Sequence, residues 1–229
     1  MNRKILVADI GGTQVKVMMS PKTQIKFDSG EEMRPRDFVE RFRESVKGLK
    51  FDRISIGFPA PVRHGKIVRE PKHLGKGWVG FNFSRALHKP TRLINDAAMQ
   101  ALGSHVRGRI LFLGLGTGLG SALVWRNSVL PLELGDLPYH GHRKIETFVG
   151  KEGLEKLGRN EWRDEVLYAV EQLKLSFVAD TIVLGGGNVQ KMNGLPRGIE
   201  KGDNRNAYLG GVRLWEIDRR TGQPRWQIL

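Results

Sequence analysis

Two short glycine turns, each held between apolar runs, constrain this chain more than any other feature. One is Gly11, Gly12 and Thr13 in "DIGGTQVKV"; the other is Gly116, Thr117 and Gly118 in "LGLGTGLGSAL". Superposing them places Gly12 on Gly116 and Thr13 on Thr117 at one constant offset. The apolar flanks read as strands, so each copy is a β-hairpin. Two such hairpins roughly a hundred residues apart predict a duplicated fold, with one turn from each half facing a shared cleft.

The remaining pattern is α/β. "KILVADI" and "VKVMM" read as strands, and "PRDFVERFRESVKG" spaces Phe38, Phe42 and Val46 as an amphipathic helix ending at Gly48. "RISIGFPAPV" is a strand broken by proline, "RLIN" a strand leading into the helical "DAAMQALGSH", and "TIVL" a strand entering "GGGN". "NEWRDEVLYAVEQLKLSF" carries Trp162, Val166, Val170 and Leu173 at helical spacing. Strands alternating with helices argue for α/β architecture.

Several function classes drop out. The uncharged run from Ile110 to Trp125 is shorter than the ~20 residues a membrane helix needs, and its glycines sit in its centre. "MNRKILVADIGG" meets Asp9 too early for a secretory signal. These features, with no cysteine in the chain, predict a cytoplasmic protein with neither disulfides nor thiolate metal sites. The formal charge of +14 suggests a polyanionic partner, but the basic clusters are short and dispersed and match no nucleic-acid motif.

Glycine lets backbone N–H groups approach phosphate oxygens, and a threonine hydroxyl adds a donor. A Rossmann fingerprint fails, because its last glycine falls on Leu119 or Ser121. A Walker A loop fails as well, since Gly65-Lys66 precedes Ile67 and Gly150-Lys151 precedes Glu152. Asp9 breaks the symmetry of the two turns, its counterpart in the superposition being Leu113. A carboxylate beside a phosphate turn can hold Mg²⁺, directly or through water; the alternative is an aspartate that merely caps the turn. "IND" before an alanine-rich helix is a good N-cap in its own right.

Taken in order, "LVADIGGTQVKV", "RLINDAAMQALG", "LFLGLGTGLGSALV", "LELG" and "TIVLGGGN" resemble the ROK family of sugar kinases within the actin-like ATPase superfamily. The resemblance is to its glucokinases, polyphosphate-dependent ones included. It implies an actin-like, ribonuclease H-like duplicated fold with two α/β domains, 1–105 and 106–204, around a central cleft. A C-terminal helix at about 205–220, "NRNAYLGGVRLWE", would pack back on the first domain.

The resemblance also implies site roles. Asp9, Gly11, Gly12, Thr13, Gly116, Thr117 and Gly118 would grip the donor phosphates, with Asp9 holding Mg²⁺ through water. Gly185, Gly186, Gly187 and Asn188 would form the adenosine-side loop. Asp96 would be the catalytic base, and Asn95, Asp96, Glu133 and Asp136 would bind the sugar. The implied reaction moves a phosphoryl group from ATP or polyphosphate to a hexose, with the 6-hydroxyl of glucose as the leading acceptor. Mannose, fructose or an amino sugar is the alternative acceptor, and a sugar- or nucleotide-binding regulator without catalysis is the alternative class.

Three departures matter. Asp136 stands where the family usually has histidine, and an anionic aspartate cannot act as a neutral donor. His73 replaces an asparagine in the sugar-side loop "HLGKGWVGF", whose Trp78 reads either as a cleft shield or as core. The cysteine-rich zinc site of many relatives is replaced by "LPYHGHRKIETFVG", where His140 and His142 are too few for a closed site, so no zinc is expected. No specific nucleic acid and no membrane is expected as partner, a homodimer is left open, and the tail "TGQPRWQIL" has no assigned role.

Overall fold

The computed structural model describes residues 4–203 and 205–229. In the first half, β1 (Ile5–Ile10), β2 (Gln14–Met18) and β3 (Gln24–Asp28) form an antiparallel meander. Helix α1 (Pro35–Ser45) leads to β4 (Arg53–Phe58), the small hairpin β5 (Val62–Arg63) and β6 (Lys66–Ile67), and α2 (Phe83–Leu87). Strand β7 (Thr91–Asn95) runs directly into α3 (Asp96–Ser104). The sheet order is β3-β2-β1-β4-β7, with β1, β4 and β7 parallel.

The second half repeats this plan. Strands β8 (Ile110–Leu115), β9 (Leu119–Trp125) and β10 (Ser128–Leu132) form the meander, followed by α4 (Glu146–Val149) and α5 (Lys151–Ser176). Parallel strands β11 (Thr181–Gly185) and β12 (Ile199–Lys201) extend the sheet beside β8. After α6 (Asn206–Arg213), β13 (Gln227–Ile228) pairs with β10. The order β12-β11-β8-β9-β10-β13 is that of the first sheet, read from the other edge, with one strand added by the tail.

Strand alternation builds the layers. On β1, Leu6, Ala8 and Ile10 enter an outer core with Phe38, Phe42, Phe58, Trp78 and Phe83, whereas Val7 faces the opposite way. On β8, Leu111, Leu113 and Leu115 pack against Trp162, Val166 and Val170 of α5, while Ile110 and Phe112 face inward. Between the sheets lies a middle layer of α3 and α6, where Ala98, Leu102 and Ala207 meet Val7 and Phe112. The result is helices on both outer faces, two sheets, and a helical layer between them.

That layer depends on two glycines. A Cβ on Gly103 would collide with the carbonyl of Asn206, and one on Gly210 with the carbonyl of Met99, so the backbones of α3 and α6 touch directly. Helix α6 ends sooner than the expected 205–220. Asp218 Oδ1 accepts from the amides of Arg220 (2.9 Å) and Thr221 (3.1 Å), an Asx turn that competes with helix. Helix α5 begins earlier than its apolar spacing suggests, at Lys151, and is interrupted at Gly158 (φ 74°, ψ 173°).

Trp78 is fully buried, with ring centroids of Phe58, Phe81 and Phe83 between 5.0 and 6.1 Å away, which makes it core. At the end of α5, Val178 adopts φ 49°, a left-handed conformation unfavourable for a β-branched residue, while Arg109 Nη1 reaches its carbonyl at 3.1 Å. Val178→Gly is expected to stabilise the fold by about 1 kcal/mol, since its side chain is largely exposed and only strain is removed. Urea melts check this, and a loss of stability would refute the strain assignment.

Candidate active site

Parallel pairing brings three strand ends together. Asp9 on β1 lies beside Gly57 on β4, and Phe58 lies beside Asn95 on β7. Gly57 is the contact point: a Cβ built there would stand 3.3 Å from both Asp9 Oδ1 and the Asp96 Cα. Asn95 caps α3 by accepting from the Ala98 amide at 3.1 Å, and its amide donates to the Ala60 carbonyl at 3.4 Å. The N-cap reading of "IND" therefore applies to Asn95. Asp96 follows as the first helical residue and accepts from the Ala97 amide at 2.8 Å.

Both aspartates are desolvated. Burial pushes the Asp9 carboxyl up to about 6, with Lys16 opposite it on β2 pulling the other way. Burial, reinforced by Asp9, pushes Asp96 up to about 7. A carboxylate poised near neutrality can take a proton at physiological pH.

The sheet register corrects the sequence superposition. Ile10 pairs with Val15 across the first turn, and Leu115 with Leu119 across the second, so the first turn is one residue longer. Counted from the hairpin ends, Asp9 corresponds to Gly114, each one residue before the last on its strand and on the inward face. Leu113 points into the outer core instead. The asymmetry stands, because the second half offers no carboxylate at this place.

Between the halves is a cavity of about 290 Å³. Gly11, Gly12, Asn95, Asp96, Gly116, Thr117, Gly118, Glu133 and Gly186 line it. Asp9, Thr13, Asp136, Gly185, Gly187 and Asn188 do not, although the Asn188 amide donates to the Gly116 carbonyl at 3.1 Å and ties its loop to the second turn. Four larger surface pockets contain none of the expected site residues.

Glu133 is fixed by its neighbours. Buried Ser121 donates to the Leu132 carbonyl at 2.9 Å and accepts from the Leu134 amide at 3.0 Å, clasping the chain on both sides of it. Burial raises the Glu133 carboxyl, and Arg69 at 3.7 Å opposes that rise. Asp136 is held low by hydrogen bonds, with Lys144 at 2.6 Å and Lys72 at 3.0 Å.

Sequence reading missed Arg69, Lys72 and Glu146, all of which line the cavity. Glu146 lies in the segment "LPYHGHRKIETFVG" that replaces the zinc site of many relatives. No comparable signal marked Arg69 or Lys72.

Two sheets of one topology, joined through a helical layer and each contributing a glycine turn to one cleft, make up a duplicated actin-like fold. No protein-family model matches the chain. It is 24% identical over 184 residues to the polyphosphate glucokinase of Mycobacterium tuberculosis, covering 73% of this chain and 69% of that protein. It is 23% identical over 205 residues to the Mycobacterium leprae polyphosphate glucokinase, covering 80% and 63%. In fold it resembles the inorganic polyphosphate/ATP-glucomannokinase of Arthrobacter sp. strain KM, with a TM-score of 0.79 at 22% identity over 92% of this chain and 97% of that one. A ROK family glucokinase from Streptomyces griseus, solved with glucose and AMPPNP, gives a TM-score of 0.72 at 12% identity over 91% and 98%. The chain is thus similar in sequence to polyphosphate glucokinases and in fold to solved sugar kinases of the ROK family.

Proposed function

We propose that this protein is a cytoplasmic hexose kinase that transfers a phosphoryl group from ATP or polyphosphate to the 6-hydroxyl of glucose. The observation that carries this reading is Asp96, raised to about 7 at the head of α3, in a cavity walled by both glycine turns and by Glu133. Two curated relatives named polyphosphate glucokinase and the glucomannokinase fold support the same chemistry.

In this reading Asp96 accepts the proton of the attacking hydroxyl, while Glu133 accepts hydrogen bonds from neighbouring hydroxyls. The amides of Gly11, Gly12, Gly116 and Gly118 hold the phosphate chain, and Thr13 and Thr117 sit at the same turns with exposed side chains. The loop Gly185–Asn188 flanks the second turn on the side proposed for adenosine. Residues 1–105 and 106–204 act as the two halves that close over substrate, with α6 packed on α3 and on strands β1 and β4.

Asp9 fits a divalent cation of a particular kind. Among the described residues no group of three metal-ligating side chains exists, yet Asp9 is buried at a strand end and its side chain accepts no hydrogen bond. One desolvated carboxylate suits Mg²⁺ held mostly by water and phosphate oxygens. When bound, the ion would offset charge on the transferred phosphoryl group.

A matrix of ATP and polyphosphate against a panel of hexoses with Mg²⁺, reading sugar phosphate directly, tests the proposal. No product from any pair would refute it and favour the regulator reading. As an expected result, kcat/KM rises tenfold per pH unit below about 7 and levels above it, because Asp96 must lose its proton to act. A profile flat from about pH 5 to 8 would remove Asp96 as the titrating base.

A further inference from the structure

Lys72 stands at the acceptor end of the cavity with Arg69, Glu133 and Glu146. Its ammonium donates to Asp136 Oδ1 at 3.0 Å and to Glu146 Oε1 at 2.8 Å. An ammonium has three N–H donors, so one remains after these two bonds. Asp136 is outside the cavity lining, and Lys144 donates to the same Oδ1 at 2.6 Å. The aspartate at the family's histidine position therefore faces a lysine.

The charges also close. Arg69 lies 3.7 Å from both Glu133 and Asp136, so Arg69, Lys72 and Lys144 balance Glu133, Asp136 and Glu146. Desolvation works against the Lys72 charge, but its bonds to Glu146 and Asp136 outweigh that and keep it protonated. A balanced set of carboxylate acceptors and one spare ammonium donor suits alternating hydroxyls. An added cationic or anionic substituent would face a fixed group of its own sign.

We propose that Lys72 is the hydrogen-bond donor to the acceptor sugar, positioned by Asp136, and that this pocket selects an uncharged hexose over an amino sugar or a sugar acid. The inference rests on the hexose kinase reading. It assigns Lys72 the donor role that a neutral histidine would have played, and makes Asp136 a positioning residue that acts through Lys72.

The test uses Lys72→Met, Asp136→Asn and the double variant, each checked for native circular dichroism. Lys72→Met is expected to raise the KM for glucose at least ~10-fold while the donor KM stays within about twofold, the cost of a lost charged hydrogen bond. Asp136→Asn should raise it less, and should add nothing in the Lys72→Met background. In the wild type, the KM of glucosamine and the inhibition constant of glucuronate, which lacks the 6-hydroxyl and can only compete for the pocket, should each lie at least ~10-fold above the glucose KM. An unchanged glucose KM in Lys72→Met, full additivity of the two substitutions, or a preference for a charged sugar would each overturn the assignment. Calorimetric hexose binding separates this from the kinase reading. Wild type that binds glucose without transfer refutes the kinase reading alone, and the same variants then decide Lys72 through Kd. Wild type that binds no hexose overturns both.

Discussion

Asp96→Asn is expected to lower kcat about 10²- to 10⁴-fold while donor and hexose affinities change only a few-fold. Asparagine keeps the shape and can still accept from the Ala97 amide, so the head of α3 is preserved. It cannot take the proton of the attacking hydroxyl. Single-turnover rates and equilibrium binding separate these effects, and an active variant would end the base assignment.

The same substitution has a stability signature of fixed sign. A carboxyl raised from 3.8 to about 7 in the fold binds its proton more tightly folded than unfolded. Wild-type stability is therefore lost progressively as pH rises through that interval and then levels. Asparagine removes this slope, so the variant should gain most over wild type near pH ~8, as urea melts at pH ~5 and ~8 would show.

The second large effect is expected outside the cavity lining, one helical turn behind Asp96. Gly210→Ala places a methyl group on the Met99 carbonyl in the α3–α6 contact, where backbone meets backbone and no side chain can swing away. Overpacking of this kind costs about 1–3 kcal/mol, which lowers Tm by several degrees in a chain of this size. Because α3 begins at Asp96, any relief by helix movement also shifts the base, and kcat should fall with stability. Leu209→Ala is the control, its side chain being exposed on the same helix. Equal melting curves for Gly210→Ala and wild type would show that the two helices can separate freely.

The glycine turns were legible because only a few residue types permit so tight a hairpin turn, and both copies carry them. Asp96 and Glu133 were legible through motif order, and both line the cavity. The pairing of Asp9 with Leu113 was misread by one residue, because a matched Gly-Thr pair hides a difference in turn length. Strand alternation held the correction: Leu113 shares a face with Leu111, and Asp9 shares one with Val7. Lys72 was invisible, since a lone lysine in a basic chain carries no pattern.

The tail shows the same limit. "TGQPRWQIL" has no periodicity to read, yet β13 adds to the second sheet, and Trp226 is buried with its indole donating to Glu216 at 2.9 Å.

What the amino-acid order determined by itself was local: hairpins at the glycine turns, a helix start at "IND", apolar strands at period two, and from these a duplicated α/β fold. These features depend on neighbouring residues, whose geometry is set by backbone sterics and short-range hydrogen bonds. Only the tertiary structure decided which groups share the cleft. Asp9 meets Asp96 because β1, β4 and β7 run parallel, and Lys72 meets Asp136 and Glu146 across 64 and 74 positions of chain. Such meetings arise from long-range packing, and burial at those meeting points, which no local pattern encodes, is what moves the two aspartates toward neutrality.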